Sequence, residues 1–140
     1  MIIDVHTHTF KDSIAKKAID KLSVESNIKP AFDGTMSGLT NLLIKNNIDL
    51  AINVPVATKL SQVHSINEYV IEENKKVKEN KILSFGAIHP LYEDYKNEIK
   101  YLKDNNVKGI KLHPVYQNEP VDSINTINVI NEAFKNDMIV

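Results

Sequence analysis

The sequence has no cysteine, no tryptophan and no arginine. Without cysteine there is no disulfide and no thiolate metal site. Any metal must therefore be held by histidine, carboxylate or a modified lysine. Without arginine there is no bidentate guanidinium clamp for phosphate or carboxylate, and all 17 basic residues are lysine. No apolar run approaches the roughly 18 to 20 residues of a membrane span. Asp4 and His6 interrupt the apolar N-terminus, so no signal peptide is expected. Neither a G-x-G-x-x-G nor a Walker-type phosphate loop occurs, which removes support for a nucleotide-binding α/β fold. An excess of charge of either sign is also lacking. The net charge is -1, which leaves no footprint of a nucleic-acid or membrane partner. What remains is a chain of 140 residues, 42% hydrophobic and 25% charged. That is the composition of at most one ordinary globular domain, with the cytoplasm as the expected compartment.

The chain opens with Ile2-Ile3-Asp4-Val5-His6-Thr7-His8. Its apolar, β-branched start predicts a buried strand. Residues two apart on a strand share a face, so Asp4, His6 and His8 are expected to point one way. Beyond it, helical spacing predicts helices over 12–22, 35–47, 60–80, 92–105 and 122–136. Strands are expected over 48–55, 82–88 and 107–112, with the start of another at 138–140. The apolar faces expected to turn inward include Val63, Ile66, Val70 and Val77 in the third helix. In the last helix they are Ile124, Ile127, Ile130 and Phe134. Strands alternating with helices imply parallel pairing through right-handed crossovers. A weak internal repeat supports this, since Gly86-Ala87-Ile88-His89-Pro90-Leu91-Tyr92 echoes Gly109-Ile110-Lys111-Leu112-His113-Pro114-Val115-Tyr116.

Parallel α/β folds bind ligands at the C-terminal ends of their strands. Four of the five histidines fall there: His6 and His8, His89, and His113. Strand four adds Lys111, with Tyr116 and Gln117 just beyond. Two imidazoles on one strand face form a chelate for a divalent metal. The competing reading is a pair of histidines bonded to nearby backbone. Lys111, inward in an apolar strand, must be paired, modified or functional, because a bare buried ammonium is costly. Asp4 is one possible partner. His89 and His113 can equally close His-Pro turns through the backbone, with Lys111 on the same face favouring a site role for His113. His64 reads as an ordinary helix histidine.

Ile-Asp-Val-His-Thr-His together with Gly-Ile-Lys-Leu-His-Pro resembles the amidohydrolase-related metal-dependent hydrolases, in the branch that includes aminocarboxymuconate-semialdehyde decarboxylase-like enzymes. The resemblance implies a (β/α)8 TIM barrel holding one or two divalent ions, commonly zinc. His6 and His8 would be the strand-one ligands. Asp4, His89, Lys111, His113, Tyr116 and Gln117 would be candidates to line the site. Such a barrel takes about 250 residues, so residues 1–140 are expected to be the N-terminal part of one barrel domain. They would cover about four βα units and the start of strand five, with the general-base Asp beyond Val140. The implied activity is attack by metal-activated water on an amide- or ester-type carbon of a small molecule. Decarboxylation or hydration on the same scaffold, a phosphoesterase of the polymerase-and-histidinol-phosphatase type, and a non-catalytic half-barrel are the alternatives. An open half-barrel exposes strand edges, so self-association or pairing with a complementary C-terminal half is expected.

Overall fold

The computed structural model describes residues 1–140, which form two compact units. The first comprises Met1–Asn53 and Lys76–Leu83, the second Val54–Lys75 and Ser84–Val140. No helix is long and apolar enough to cross a membrane.

In chain order the elements are β1 (Ile3–Thr7), α1 (Asp12–Ser26), α2 (Met36–Lys45), β2 (Leu50–Asn53), α3 (Val63–Asn74), α4 (Val77–Asn80), β3 (Ile82–Ser84), β4 (Gly86–Ala87), α5 (Tyr95–Asp104), β5 (Ile110–Lys111), α6 (Pro114–Gln117) and α7 (Ile124–Lys135).

In the first unit, β1 and β2 run parallel in the order β1-β2-β3. Ile3 pairs with Leu50 and Asp4 with Ala51, and the register shifts before Thr7 meets Asn53. The shift lies across the segment that carries His6, and such irregularities re-aim side chains. Helix α2 starts where Thr35 accepts a hydrogen bond from the Gly38 N–H at 2.9 Å, a side-chain cap that satisfies one orphan donor. It buries Met36, Leu39 and Leu43 at helical spacing. Left-handed asparagines at Asn27 and Asn47 close the ends of α1 and α2 (φ 54° and 55°).

In the second unit, β4 and β5 pair in parallel, Gly86 with Ile110 and Ala87 with Lys111. Gly109 adds a parallel bridge to Ile139. The core is assembled from α3 (Val63, Val70), α5 (Ile99, Leu102) and α7 (Val129, Ala133), packed with Ala87 and Ile110. Gly86 is required by this packing, because a Cβ there would collide with the Leu102 side chain.

The half-barrel expected for residues 1–140 is not what forms. The strands are short and divide into separate sheets of three and two. The predicted strand over 82–88 is two pieces, β3 and β4, interrupted at Phe85. Its backbone is claimed by side chains of α3 instead of by a continuous ladder. Asn74 accepts from the Ser84 N–H at 2.7 Å and donates to the Ser84 carbonyl at 2.9 Å. Asn67 does the same for Ala87, at 2.7 and 3.1 Å. A side-chain amide that satisfies both backbone groups of a residue replaces a neighbouring strand there.

Three further expectations change. Strand β1 is not buried: Ile3 is 40% exposed and Val5 71% exposed. It is the edge of its sheet, covered on neither face along most of its length. The helix predicted over 60–80 is a 3-10 turn at Leu60–Gln62 followed by α3 and α4. Finally, α7 buries Thr126, Val129 and Ala133, while Ile124, Ile127 and Phe134 face outward. The helix has apolar residues on more than one face, and the narrower, smaller-residue face is the one that packs.

Candidate functional site

The His-x-His pair is held in place by Thr7 and by the residues immediately after His8. Thr7 Oγ1 donates to the Ile52 carbonyl at 3.0 Å, and the Thr9 N–H donates to Asn53 Oδ1 at 2.8 Å. Thr9 Oγ1 donates to Met36 Sδ at 3.1 Å, and the Phe10 N–H donates to the Gly34 carbonyl at 2.9 Å. Asn53 is 1% exposed and Thr9 is 4% exposed, so this anchor is dry. The backbone leaving β1 is thereby pinned on both sides of His8.

The result is a convergence of ring nitrogens. His6 Nε2 and His8 Nε2 stand 3.1 Å apart, with the rings edge to face at 4.9 Å between centroids. Two nitrogens each about 2.05 Å from one tetrahedral ion lie about 3.3 Å apart. The observed separation therefore suits a shared ion, and in a metal-free chain one ring donates to the other. Asp4 is beside the pair, but its Oδ1 accepts the His6 backbone N–H at 3.1 Å. It orders the backbone under His6. No group of three or more histidine and carboxylate side chains able to hold a metal is present.

His89 and His113 are arranged differently. His89, 6% exposed, accepts the Leu91 N–H on Nδ1 at 3.2 Å. His113 caps α6 and accepts the Tyr116 N–H on Nδ1 at 3.3 Å, with its ring stacked on Tyr116 at 4.3 Å. A neutral imidazole that accepts on Nδ1 carries its proton on Nε2 and donates there. Both rings are thus set as donors, not as Nε2 metal ligands. Burial pushes His89 below its ordinary 6.5, opposed by the nearby Glu119 carboxylate. Lys111 is half-buried at the end of β5.

Gln117, expected to line a site, is a buried strut. Its Nε2 donates to the Ile88 carbonyl at 2.7 Å and the Ala57 carbonyl at 3.0 Å. Its Oε1 accepts the His113 N–H at 2.8 Å. It positions the backbone after β4 and β5. Tyr116 is largely exposed and serves as the platform for the His113 ring.

Two clusters were missed by sequence reasoning. Asn53, at the end of β2, holds the Thr9 backbone. His64, read as an ordinary helix residue, contacts a buried acid: its Nδ1 is 3.0 Å from Glu98 Oε2. Glu98 Oε1 also accepts from Asn67 Nδ2 at 2.9 Å. The hydrogen bond that His64 donates to the Glu98 carboxylate holds the imidazole above its ordinary 6.5. The signal was available in part, since a glutamate at an inward position of an amphipathic helix needs a partner.

No protein-family model, curated protein or solved structure matches the chain.

Proposed function

We propose that this chain is the metal-binding part of a metal-dependent hydrolase of the amidohydrolase-related type, acting on small molecules, with His6 and His8 as ligands to a divalent ion. The observation that carries this reading is the 3.1 Å approach of the two Nε2 atoms. In a chain without cysteine, paired imidazoles suit zinc, as they do copper, nickel and iron, and zinc is the ion proposed. When bound, the ion supplies Lewis acidity and an activated water for attack on an amide- or ester-type carbon.

The chain's own residues do the positioning. Thr7, Thr9 and Asn53 hold the backbone so that the two rings converge, and Asp4 orders the His6 amide. Catalytic zinc sites usually have three protein ligands, and this pair is one short. The hydrolytic reading therefore requires a third protein ligand from a partner, either a second copy or a complementary chain. The exposed apolar residues Ile3 and Val5 on the edge strand β1, with Ile2 just before it, fit such a contact.

The test is titration of the metal-stripped chain with Co2+, followed by its d–d absorption, together with light scattering. The expected outcome is saturable binding that both His6→Gln and His8→Gln weaken. Hydrolysis of amide and ester probes, compared with phosphate esters, then reads the reaction class. Cobalt binding indifferent to both substitutions would overturn the assignment.

A further inference from the structure

The second unit holds a set of hydrogen-bond donors with no acceptor assigned to them. Ala87 and Lys111 are register partners on the parallel strands β4 and β5. The Ile88 N–H reaches the Lys111 carbonyl at 3.4 Å, which carries the pairing one residue further. Two residues beyond each partner, past the ends of β4 and β5, stand His89 and His113, so the histidines follow matched places on neighbouring strands. As register partners, Ala87 and Lys111 carry their side chains on one face of the pair. Each imidazole has its Nδ1 occupied by a backbone N–H, from Leu91 and Tyr116 respectively, and so presents an Nε2–H. Lys111 is half-buried and forms no ion pair with any carboxylate of the chain.

The geometry points to an anion subsite formed by Lys111 Nζ and the Nε2–H groups of His89 and His113, which takes the carboxylate of a small organic acid. Two N–H donors on the segments that follow adjacent strands meet the two oxygens of a carboxylate, and the ammonium supplies the opposite charge. The acid nearest in effect, Glu119, is engaged by its own segment: its Oε1 accepts from Asn125 Nδ2 at 3.0 Å. Phosphate shares the anion chemistry. It is the poorer fit because the chain offers no arginine fork and no glycine-rich loop of backbone donors. The position, at the C-terminal ends of parallel strands, is where α/β folds bind ligands. The subsite is independent of a metal at His6 and His8.

The experiment tracks the histidine ring nitrogens by 15N NMR in the full, metal-stripped chain at constant ionic strength. Propionate and inorganic phosphate are the probes, with chloride as the reference. Both His89 and His113 are expected to be Nε2–H tautomers before addition. Propionate should then shift both Nε2 signals saturably, more tightly than phosphate. Lys111→Met should weaken propionate binding about tenfold, as loss of a charge-assisted contact does. His113→Gln should weaken it less, and circular dichroism checks that each variant is folded. An Nδ1–H tautomer at either histidine, shifts no different from those in chloride, or a Lys111→Met chain that binds as before would each overturn the proposal. Tighter binding of phosphate would overturn the carboxylate assignment.

Discussion

The side-chain amide of Asn67 closes a two-bond ring with the backbone of Ala87, accepting at 2.7 Å and donating at 3.1 Å. The same Nδ2 also donates to Glu98 Oε1 at 2.9 Å. One fully buried amide thus does the work of a neighbouring strand and anchors a buried carboxylate. Asn67→Ala should cost about 2–4 kcal/mol, because it leaves the Ala87 N–H and Glu98 short of partners in a dry setting. Asn67→Asp should cost more, since it sets two carboxylates side by side. Urea denaturation of the variants checks both values and their order.

The two histidines with shifted proton affinity act on opposite sides of 6.5. His64 is held above 6.5 by Glu98, with a smaller contribution from Glu68. A raised folded value contributes stability that is fully present below about 6.5 and is lost as pH rises through the folded value. His89 is pushed below 6.5 by burial. Below 6.5 the unfolded chain binds that proton before the fold does, so stability is lost as pH falls toward the folded value. His64→Gln should flatten the alkaline decline and His89→Gln the acid one. Urea midpoints measured across the neutral range would show it, and the reverse pattern would contradict the placement of both rings.

Substitution at the paired imidazoles should be costly for metal and cheap for folding. His6 is exposed and His8 is half-buried on an edge strand. Either change to glutamine should lower zinc affinity at least about tenfold, since a chelate is reduced to a single ligand. The melting temperature of the metal-free chain should stay within a few degrees of the parent, as surface substitutions usually do. Competition against a zinc-responsive dye, with calorimetry of the apo form, separates the two effects.

Asn53 offers a test of positioning. Its Oδ1 takes the Thr9 N–H at 2.8 Å. Asn53→Ala should destabilise the fold by about 1–3 kcal/mol, the cost of a buried donor left unsatisfied. It should also weaken zinc binding while His6 and His8 remain in place. Asn53→Asp, which keeps the acceptor oxygen, should restore part of the metal affinity. Equal zinc binding in all three chains would mean that the His-x-His turn holds itself.

The local chemistry was legible in the residues. Strand spacing placed His6 and His8 on one side, and their nitrogens converge. The inward positions Leu39, Leu43, Ile99 and Leu102 follow the helical period. The repeated His-Pro ending pointed to matched places on two strands, and Gly86–Ala87 and Ile110–Lys111 do pair. These features depend on period and on near neighbours, which the sequence states directly.

What only the tertiary structure decided is how far the strands extend and which partners they take. Alternating βα elements were read as a continuous half-barrel. The ladder instead breaks at Phe85, where Asn67 and Asn74 of α3 take up the backbone groups of Ala87 and Ser84. Nothing in the order of elements signals that an asparagine on a helix will compete for a strand. Nor does periodicity choose among several apolar faces of α7, where packing selected Val129 and Ala133 over Ile127 and Phe134. Hydrogen-bond competition and close packing act between residues remote in sequence. They were therefore settled only when the chain had folded, as was the pairing of His64 with a buried Glu98 on another helix.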